Sequence, residues 1–420
     1  MRVVAIEEHH IIPEMRSRMD LSLLPPANQT RLDVTVGERL ADMDAAGIDV
    51  QVLSVMLPMP QMLPAETAVP LATKVNGELH GMVTAYPDRF AAFALLPVTA
   101  PNAAADELER AVSELGFVGA MISGTIGGRF LDDPAFAPIL ETAARLNVPI
   151  YLHPGPPPQS VAEVYYAGFA AAVSQTLATG GYGWHYEASL HALRMILGGV
   201  FDRLPGLKVI LGHLGEGIPF HLKRIDDTLT PLAGHLAKPV SGYFREHFWI
   251  TTSGYFYDGP FRLTREMFGD DRLIFSVDYP LADNRQARDW FDRLDLAPEV
   301  REKIAHGTVD NLLGLLFPPR SLSRSQVGMN PPPSTTRTCP VIHELISPAR
   351  NSKAPTRSTG VPMRLMHIRS VNRATRSFGS AEGSPVVTGP GAIALTRMFS
   401  LASSRAIVRV IGRSPPLDTA

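Results

Sequence analysis

A chain of 420 residues, 45% of them hydrophobic, can bury a large core. Its formal charge of −2 gives no electrostatic reason to expect a nucleic acid or a membrane as partner. The single cysteine, Cys339, excludes an internal disulfide framework and a thiolate-rich metal cluster, and suits a reducing compartment.

No 18-residue apolar run is free of polar breaks, and the N-terminus lacks the charged-then-apolar layout of a signal peptide. The expectation is a soluble, cytoplasmic protein. The chain opens on Val3-Val4-Ala5-Ile6, the pattern of a strand buried on both faces, and that run ends in Glu7-Glu8-His9-His10. Side chains alternate along a strand, so Glu7 and His9 share one face while Glu8 and His10 share the other. Helical spacing follows over 32–46, stopped by Gly47, and 48–55 reads as a strand. The periodicity then predicts a helix over 65–86, a strand over 90–97, a helix over 103–115 and a strand over 117–122. Gly124-Thr125-Ile126-Gly127-Gly128 lacks the lysine of a phosphate loop and reads as a flexible connection. A helix over 134–146, a strand over 148–152 and a longer helix over 187–204 come next. Strands at 207–211, 248–252 and 273–277 and helices at 299–306 and 309–317 close the series.

Eight short apolar runs, mostly separated by helical patterns, predict an α/β fold with a parallel sheet and right-handed crossovers. Eight units in about 315 residues fit a (β/α)8 TIM barrel with insertions. No Gly-x-Gly-x-x-Gly follows the first strand to support an open dinucleotide-binding sheet. The catalytic domain is expected over 1–318. The extension 319–420 has a different composition, with 14 of the 39 Lys+Arg but only three of the 41 acids between Arg320 and Ala420. Such a segment struggles to bury enough apolar surface to offset chain entropy, so it is expected to be disordered or poorly packed. Residues 392–411 are an exception, apolar enough for a short amphipathic element. An Arg-rich tail contacting RNA is the less favoured reading.

Acids and histidines stand where the strands end. Glu7 and His9 end the first, His153 the fifth, His213 the sixth and Asp278 the eighth. The C-terminal strand ends of such a barrel converge on one mouth, where active sites sit. Any one of these residues alone is more often a hydrogen-bonded loop or core residue; the coincidence of five points to a metal centre. Imidazole and carboxylate donors without thiolates favour Zn, Mn or Fe, with a coordination position open to water or substrate.

The sequence resembles the amidohydrolase superfamily, and within it the metal-dependent decarboxylases of aromatic acids such as γ-resorcylate and 2,3-dihydroxybenzoate. Aminocarboxymuconate semialdehyde decarboxylase is a more distant likeness. The matching pieces are Ala5-Ile6-Glu7-Glu8-His9, Val148-Pro149-Ile150-Tyr151-Leu152-His153-Pro154, Val209-Ile210-Leu211-Gly212-His213-Leu214-Gly215-Glu216, Thr251-Thr252-Ser253-Gly254 and Ile274-Phe275-Ser276-Val277-Asp278-Tyr279-Pro280. The opening Glu-x-His, in place of the commoner His-x-His, resembles the hydroxybenzoate decarboxylase branch. The resemblance implies one divalent ion, zinc or manganese, on Glu7, His9, His153 and Asp278. It implies that His213 lies beside the open position, oriented by Glu216 one helical turn on, and that Asp278 is the proton donor in a partly apolar, closed pocket. Arg224 matches a position that meets the substrate carboxylate across a subunit interface, which implies a homodimer or homotetramer. Trp184, His185 and Tyr279 are expected to line the pocket for an aromatic carboxylate substrate. A metal-dependent hydrolase of a lactone or amide, using Asp278 as base, is the alternative, and an inactive barrel serving as a binding module is the second.

Overall fold

A computed structural model of the chain describes residues 1–12, 15, 32, 34–55 and 63–315. The extension 319–420, with Cys339 and the segment 392–411, lies outside those residues, as do 316–317 at the end of the last expected helix. Among the described residues nine strands run in chain order: β1 (Val4–His10), β2 (Val50–Val55), β3 (Phe90–Ala92), β4 (Ala94–Leu95), β5 (Ala120–Ser123), β6 (Pro149–His153), β7 (Lys208–Leu211), β8 (Phe248–Thr251) and β9 (Leu273–Ile274). Neighbours are parallel throughout and follow sequence order.

β3 and β4 share one barrel position. Phe93 alone separates them: its N–H donates to the Leu53 carbonyl at 2.8 Å, and the N–H of Ala94 donates to the Gly119 carbonyl at 2.8 Å. The other seam, between β9 and β1, is closed largely by side chains. The Glu7 N–H donates to Ser276 Oγ at 2.9 Å, the Val277 N–H to Glu8 Oε1 at 3.0 Å, and the His9 N–H to the Tyr279 carbonyl at 2.6 Å. The result is the expected (β/α)8 barrel. β9 is shorter than the expected 273–277, because beyond Ile274 the backbone bonds to the Ile304 carbonyl and to the Glu8 side chain instead of a neighbouring strand.

The strands are buried along almost their whole length, which is why they read as apolar runs and not as alternating ones. Each fully buried Val, Ile, Leu or Phe contributes roughly 1.5–3 kcal/mol relative to exposure. The helix Val36–Ala46 starts in a capping box between Thr35 and Glu38 and stops at Gly47, whose φ is 69°. The helix expected over 187–204 begins earlier and is broken into Gly183–Leu197 and Val200–Arg203, because Gly199 takes φ 67° between them.

Helices Ile218–Leu229, Val240–His247, Asp258–Phe268 and Asn284–Arg293 were not legible in the periodicity, and neither was a tyrosine-rich excursion after β6 that includes Ala162–Tyr166 and Ala171–Ala178. The glycine-rich connection after β5 is pinned where flexibility was expected. A Cβ on Gly124 would lie 2.9 Å from Gly155 Cα, and Ile126 and Arg129 form an antiparallel bridge. That close approach of two backbones fixes the end of β6, where His153 sits. No described helix is long and apolar enough to cross a membrane.

Candidate active site

The side chains singled out at the strand ends meet at one pole of the barrel. His153 Nε2 lies 3.2 Å from Glu7 Oε1, and His9 Nε2 lies 3.3 Å from Asp278 Oδ1. His213 Nε2 is 3.8 Å from both Glu7 Oε1 and Asp278 Oδ2. Alternation along β1 holds as expected: Glu7 and His9 face the pole, while Glu8 turns to the seam, where it accepts from the Val277 and Tyr279 N–H groups.

Each of these imidazoles is tethered through its other nitrogen. His9 Nδ1 meets Ser54 Oγ at 3.0 Å, His153 Nδ1 donates to the Pro154 carbonyl at 2.7 Å, and His213 Nδ1 meets Glu216 Oε1 at 2.7 Å. A carbonyl oxygen can only accept, so His153 carries its hydrogen on Nδ1 and, when neutral, offers a lone pair from Nε2. Rings tethered in this way are preorganised to ligate a metal.

Glu7 is divided between two tasks. Its Oε2 is gripped by Tyr151 Oη and Ser253 Oγ, with Thr251 Oγ1 at 3.5 Å. Its Oε1, like Asp278 Oδ1, is buried with no hydrogen-bond partner among the described residues. A buried carboxylate oxygen left unpaired is costly. Two such atoms beside imidazole nitrogens, with Glu7, His9 and His153 donor atoms all within 4.8 Å of one another, fit a divalent cation. Burial pushes the Glu7 carboxyl up, but the His213 charge and the neighbouring imidazoles of His153 and His9 outweigh it and hold the group well below the usual carboxylate range. For His213 burial pulls the opposite way, and the charges of Glu216 and Glu7 raise it well above its ordinary value. The same anionic field would attract a cation.

His213 and Glu216 meet as expected, but not across a helical turn. His213, Leu214 and Glu216 take φ of 49°, 54° and 54°, a left-handed turn that no sequence periodicity announces. Asp278 has φ 75°. Backbone strain of this kind, concentrated on the residues that face the pole, persists only where packing over-determines it.

A cavity of about 1320 Å³ opens beside the pole, with His213, Glu216, His185 and Tyr255 in its wall. Of the expected pocket residues, Trp184 places its ring 6.5 Å from that of His153, with its indole N–H buried and unpartnered among the described residues. His185 lines the cavity and also bonds Glu216 Oε2 at 2.5 Å. Arg224 is exposed on Ile218–Leu229 and borders the same cavity. Tyr279 departs from expectation. Its ring packs under the Arg39 guanidinium at 4.6 Å and lines a separate small cleft with Glu38 and Asp42, because the backbone turn after Asp278 sends it to the far side of β1.

The profile of the Amidohydrolase family matches residues 7–315. The chain belongs to that family. It is 37% identical over 329 residues to γ-resorcylate decarboxylase from Polaromonas sp., a match covering 74% of this chain and 98% of the relative. It is 35% identical over 327 residues to the decarboxylase orsB from Emericella nidulans, covering 74% and 96%. Among solved structures it is similar to dihydroxybenzoic acid decarboxylase from Polaromonas sp. with bound manganese and the inhibitor 2-nitroresorcinol. That likeness has a TM-score of 0.69 and 34% identity, and covers 74% of this chain and 97% of the other.

Several side chains of this amidohydrolase's pole escaped the sequence reading. Tyr151 grips Glu7, and strand alternation could have found it, since it stands two residues before His153 on the same face. Thr251 and Ser253 belong to the Thr251-Thr252-Ser253-Gly254 motif, and they meet beside Glu7 with their hydroxyls 2.6 Å apart. Ser54 and Tyr255 gave no signal, because each acts on a histidine from a different strand or loop.

Proposed function

We propose that this amidohydrolase is a metal-dependent, non-oxidative decarboxylase of a hydroxylated aromatic acid such as a dihydroxybenzoate. The observation that carries the reading is the pair of unpartnered carboxylate oxygens, on Glu7 and Asp278, facing three tethered imidazoles at the mouth of a barrel. The names of relatives that the chain covers nearly end to end support it. Glu7, His9, His153 and Asp278 would hold one zinc or manganese ion, which when bound would draw in the substrate's phenolic and carboxylate oxygens and lower the phenol's pKa.

The protein's own side chains would do the rest. His213 would hydrogen-bond the substrate's oxygens, kept in place by Glu216. Trp184 would form the wall against which the ring lies. A bare aryl carbanion is too unstable to leave behind, so the ring carbon bearing the carboxylate must be protonated before that bond breaks. Asp278 would deliver this proton from its carboxyl group, with a new C–H bond forming at that carbon. The bond to the carboxylate then breaks, its electron pair returns to the ring, and carbon dioxide departs. One proton is taken up from solvent per turnover to restore Asp278. General acid catalysis of this kind contributes roughly 10²–10⁴-fold. Asp278→Asn should therefore lower carbon dioxide release from 2,6-dihydroxybenzoate by about 10² or more with the metal still bound. A wild-type rate in that variant would sink the mechanism.

Residues 1–318 are the catalytic domain in this reading, and the extension lies outside it. A homodimer or homotetramer is proposed as well. Tyr165, Tyr182, Tyr186, Leu190 and Phe220, all exposed, border the same cavity as Arg224, and contiguous exposed apolar surface of that kind marks an interface. Arg224 would then reach the substrate carboxylate of a neighbouring subunit. The lone cysteine, Cys339, supports a reducing, cytoplasmic location.

A further inference from the structure

Glu216 has two imidazoles, not one. Its Oε1 meets His213 Nδ1 at 2.7 Å, and its Oε2 meets His185 Nδ1 at 2.5 Å. Beyond His185, the Tyr255 hydroxyl lies 3.1 Å from His185 Nε2. Glu216 is buried, and His185 and Tyr255 stand beside it in the cavity wall. We propose that His185 and Tyr255 are positioning residues that lock Glu216 against His213. The inference rests on the decarboxylase reading above and adds to it the part of the cavity wall that sets the orientation of His213.

The hydrogen-bond polarity of the group is consistent from end to end. A carboxylate only accepts, so both Nδ1 atoms donate to Glu216. The other nitrogen of His185, Nε2, faces the Tyr255 hydroxyl at 3.1 Å and the Gly180 carbonyl at 3.4 Å, so a neutral His185 accepts there from Tyr255 and a charged one donates to Gly180. Burial raises Glu216's pKa, but the His213 charge and the bonds from His185 and His213 outweigh it, so the carboxylate stays ionised. Removing the imidazole at 185 leaves Oε2 buried and unpaired, and an unpaired buried anion takes up a proton or swings toward water. Either response weakens the bond to His213, because a charge-assisted hydrogen bond is roughly twice as strong as a neutral one. The His213 backbone is left-handed and its N–H donates to Ser253 Oγ at 3.2 Å, but among the described residues the imidazole itself is hydrogen-bonded only through Nδ1. Loss of the lock should act on the chemical step more than on substrate affinity or on the proposed ligands Glu7, His9, His153 and Asp278, none of which His185 bonds.

The test uses the full chain loaded with metal. His185→Leu removes the donor. His185→Asn keeps an amide N–H where Nδ1 stands, and Tyr255→Phe removes the outer hydroxyl. With 2,6-dihydroxybenzoate as probe, His185→Leu should lower kcat about 10–100-fold, the range for a lost partner of this kind, with KM and metal content little changed. His185→Asn should recover most of that loss, and Tyr255→Phe should lose only a few-fold. In the zinc-loaded protein the far-downfield Nδ1–H proton resonance of His213 should move in His185→Leu and return in His185→Asn. A wild-type kcat in His185→Leu, no rescue by His185→Asn, or an unmoved His213 resonance each overturns the proposal. If His185→Leu does not fold, an unchanged His213 resonance and kcat in Tyr255→Phe overturn it instead. A wild-type protein that releases no carbon dioxide from 2,6-dihydroxybenzoate speaks against the decarboxylase reading alone, and the His213 resonance still decides the inference.

Discussion

Gly212 offers a way to disturb the proposed metal pole without replacing any group in it. It lies between β7 and His213 with φ −74° and ψ −175°, extended backbone that any residue adopts, so alanine carries no conformational penalty there. A Cβ at that position would stand 2.9 Å from Glu7 Oε2, 3.2 Å from Tyr151 Oη and 3.3 Å from Ser253 Oγ. Ordinary non-bonded contacts begin at about 3.5 Å, so the Glu7 carboxylate must retreat by roughly half an ångström. It has nowhere easy to go, because the hydroxyls of Tyr151 and Ser253 already grip that oxygen. Metal-ligand distances tolerate about 0.2 Å. Gly212→Ala should therefore weaken metal binding about 10–100-fold, or about 1.4–2.8 kcal/mol. Competition with a chromophoric chelator measures this directly. Gly77→Ala is the control, since a Cβ there meets nothing within 4 Å. Wild-type metal affinity in Gly212→Ala, alongside an unaffected control, would refute the placement of Glu7 in the coordination set.

Metal removal gives a second check: dialysis against a chelator should abolish carbon dioxide release, manganese or zinc should restore it, and a metal held at 100 times its Kd should add about 2.7 kcal/mol of stability, read as a rise in Tm. A third concerns acid. His191 is buried and accepts from the Leu131 N–H at 2.7 Å, and burial, with the Arg194 charge, lowers its pKa to about 3 from 6.5. The folded state thus resists a proton that the unfolded chain takes up below 6.5, so this group's stability contribution is complete above 6.5 and is lost as the pH falls toward 3. Between pH 7 and 5 the wild type should lose about 2 kcal/mol more than His191→Gln in urea unfolding, and parallel curves would refute it. A fourth is truncation after Pro318, which should leave kcat within about two-fold of the full chain; loss of activity would place the extension in the catalytic unit.

The β-branched runs and helical periodicity were enough to read eight barrel units, because strands buried on both faces leave continuous apolar stretches. The acid or histidine after each of four such runs was equally plain, since strand ends in this architecture share one mouth. Strand alternation even separated Glu7 and His9 from Glu8 and His10. What a one-dimensional pattern does not carry is which distant groups meet. The grip of Tyr151 and Ser253 on Glu7 joins β1, β6 and the loop after β8, and Ser54 reaches His9 from the neighbouring strand. The left-handed turn that brings Glu216 back to His213 obeys no period. Tyr279 adjoins Asp278 in sequence, yet it turns to Arg39 because the backbone between them reverses. The sequence by itself determined the candidate donors and their order along the barrel. Only the tertiary structure decided how each donor is tethered, because a tether is a contact between side chains far apart in the chain.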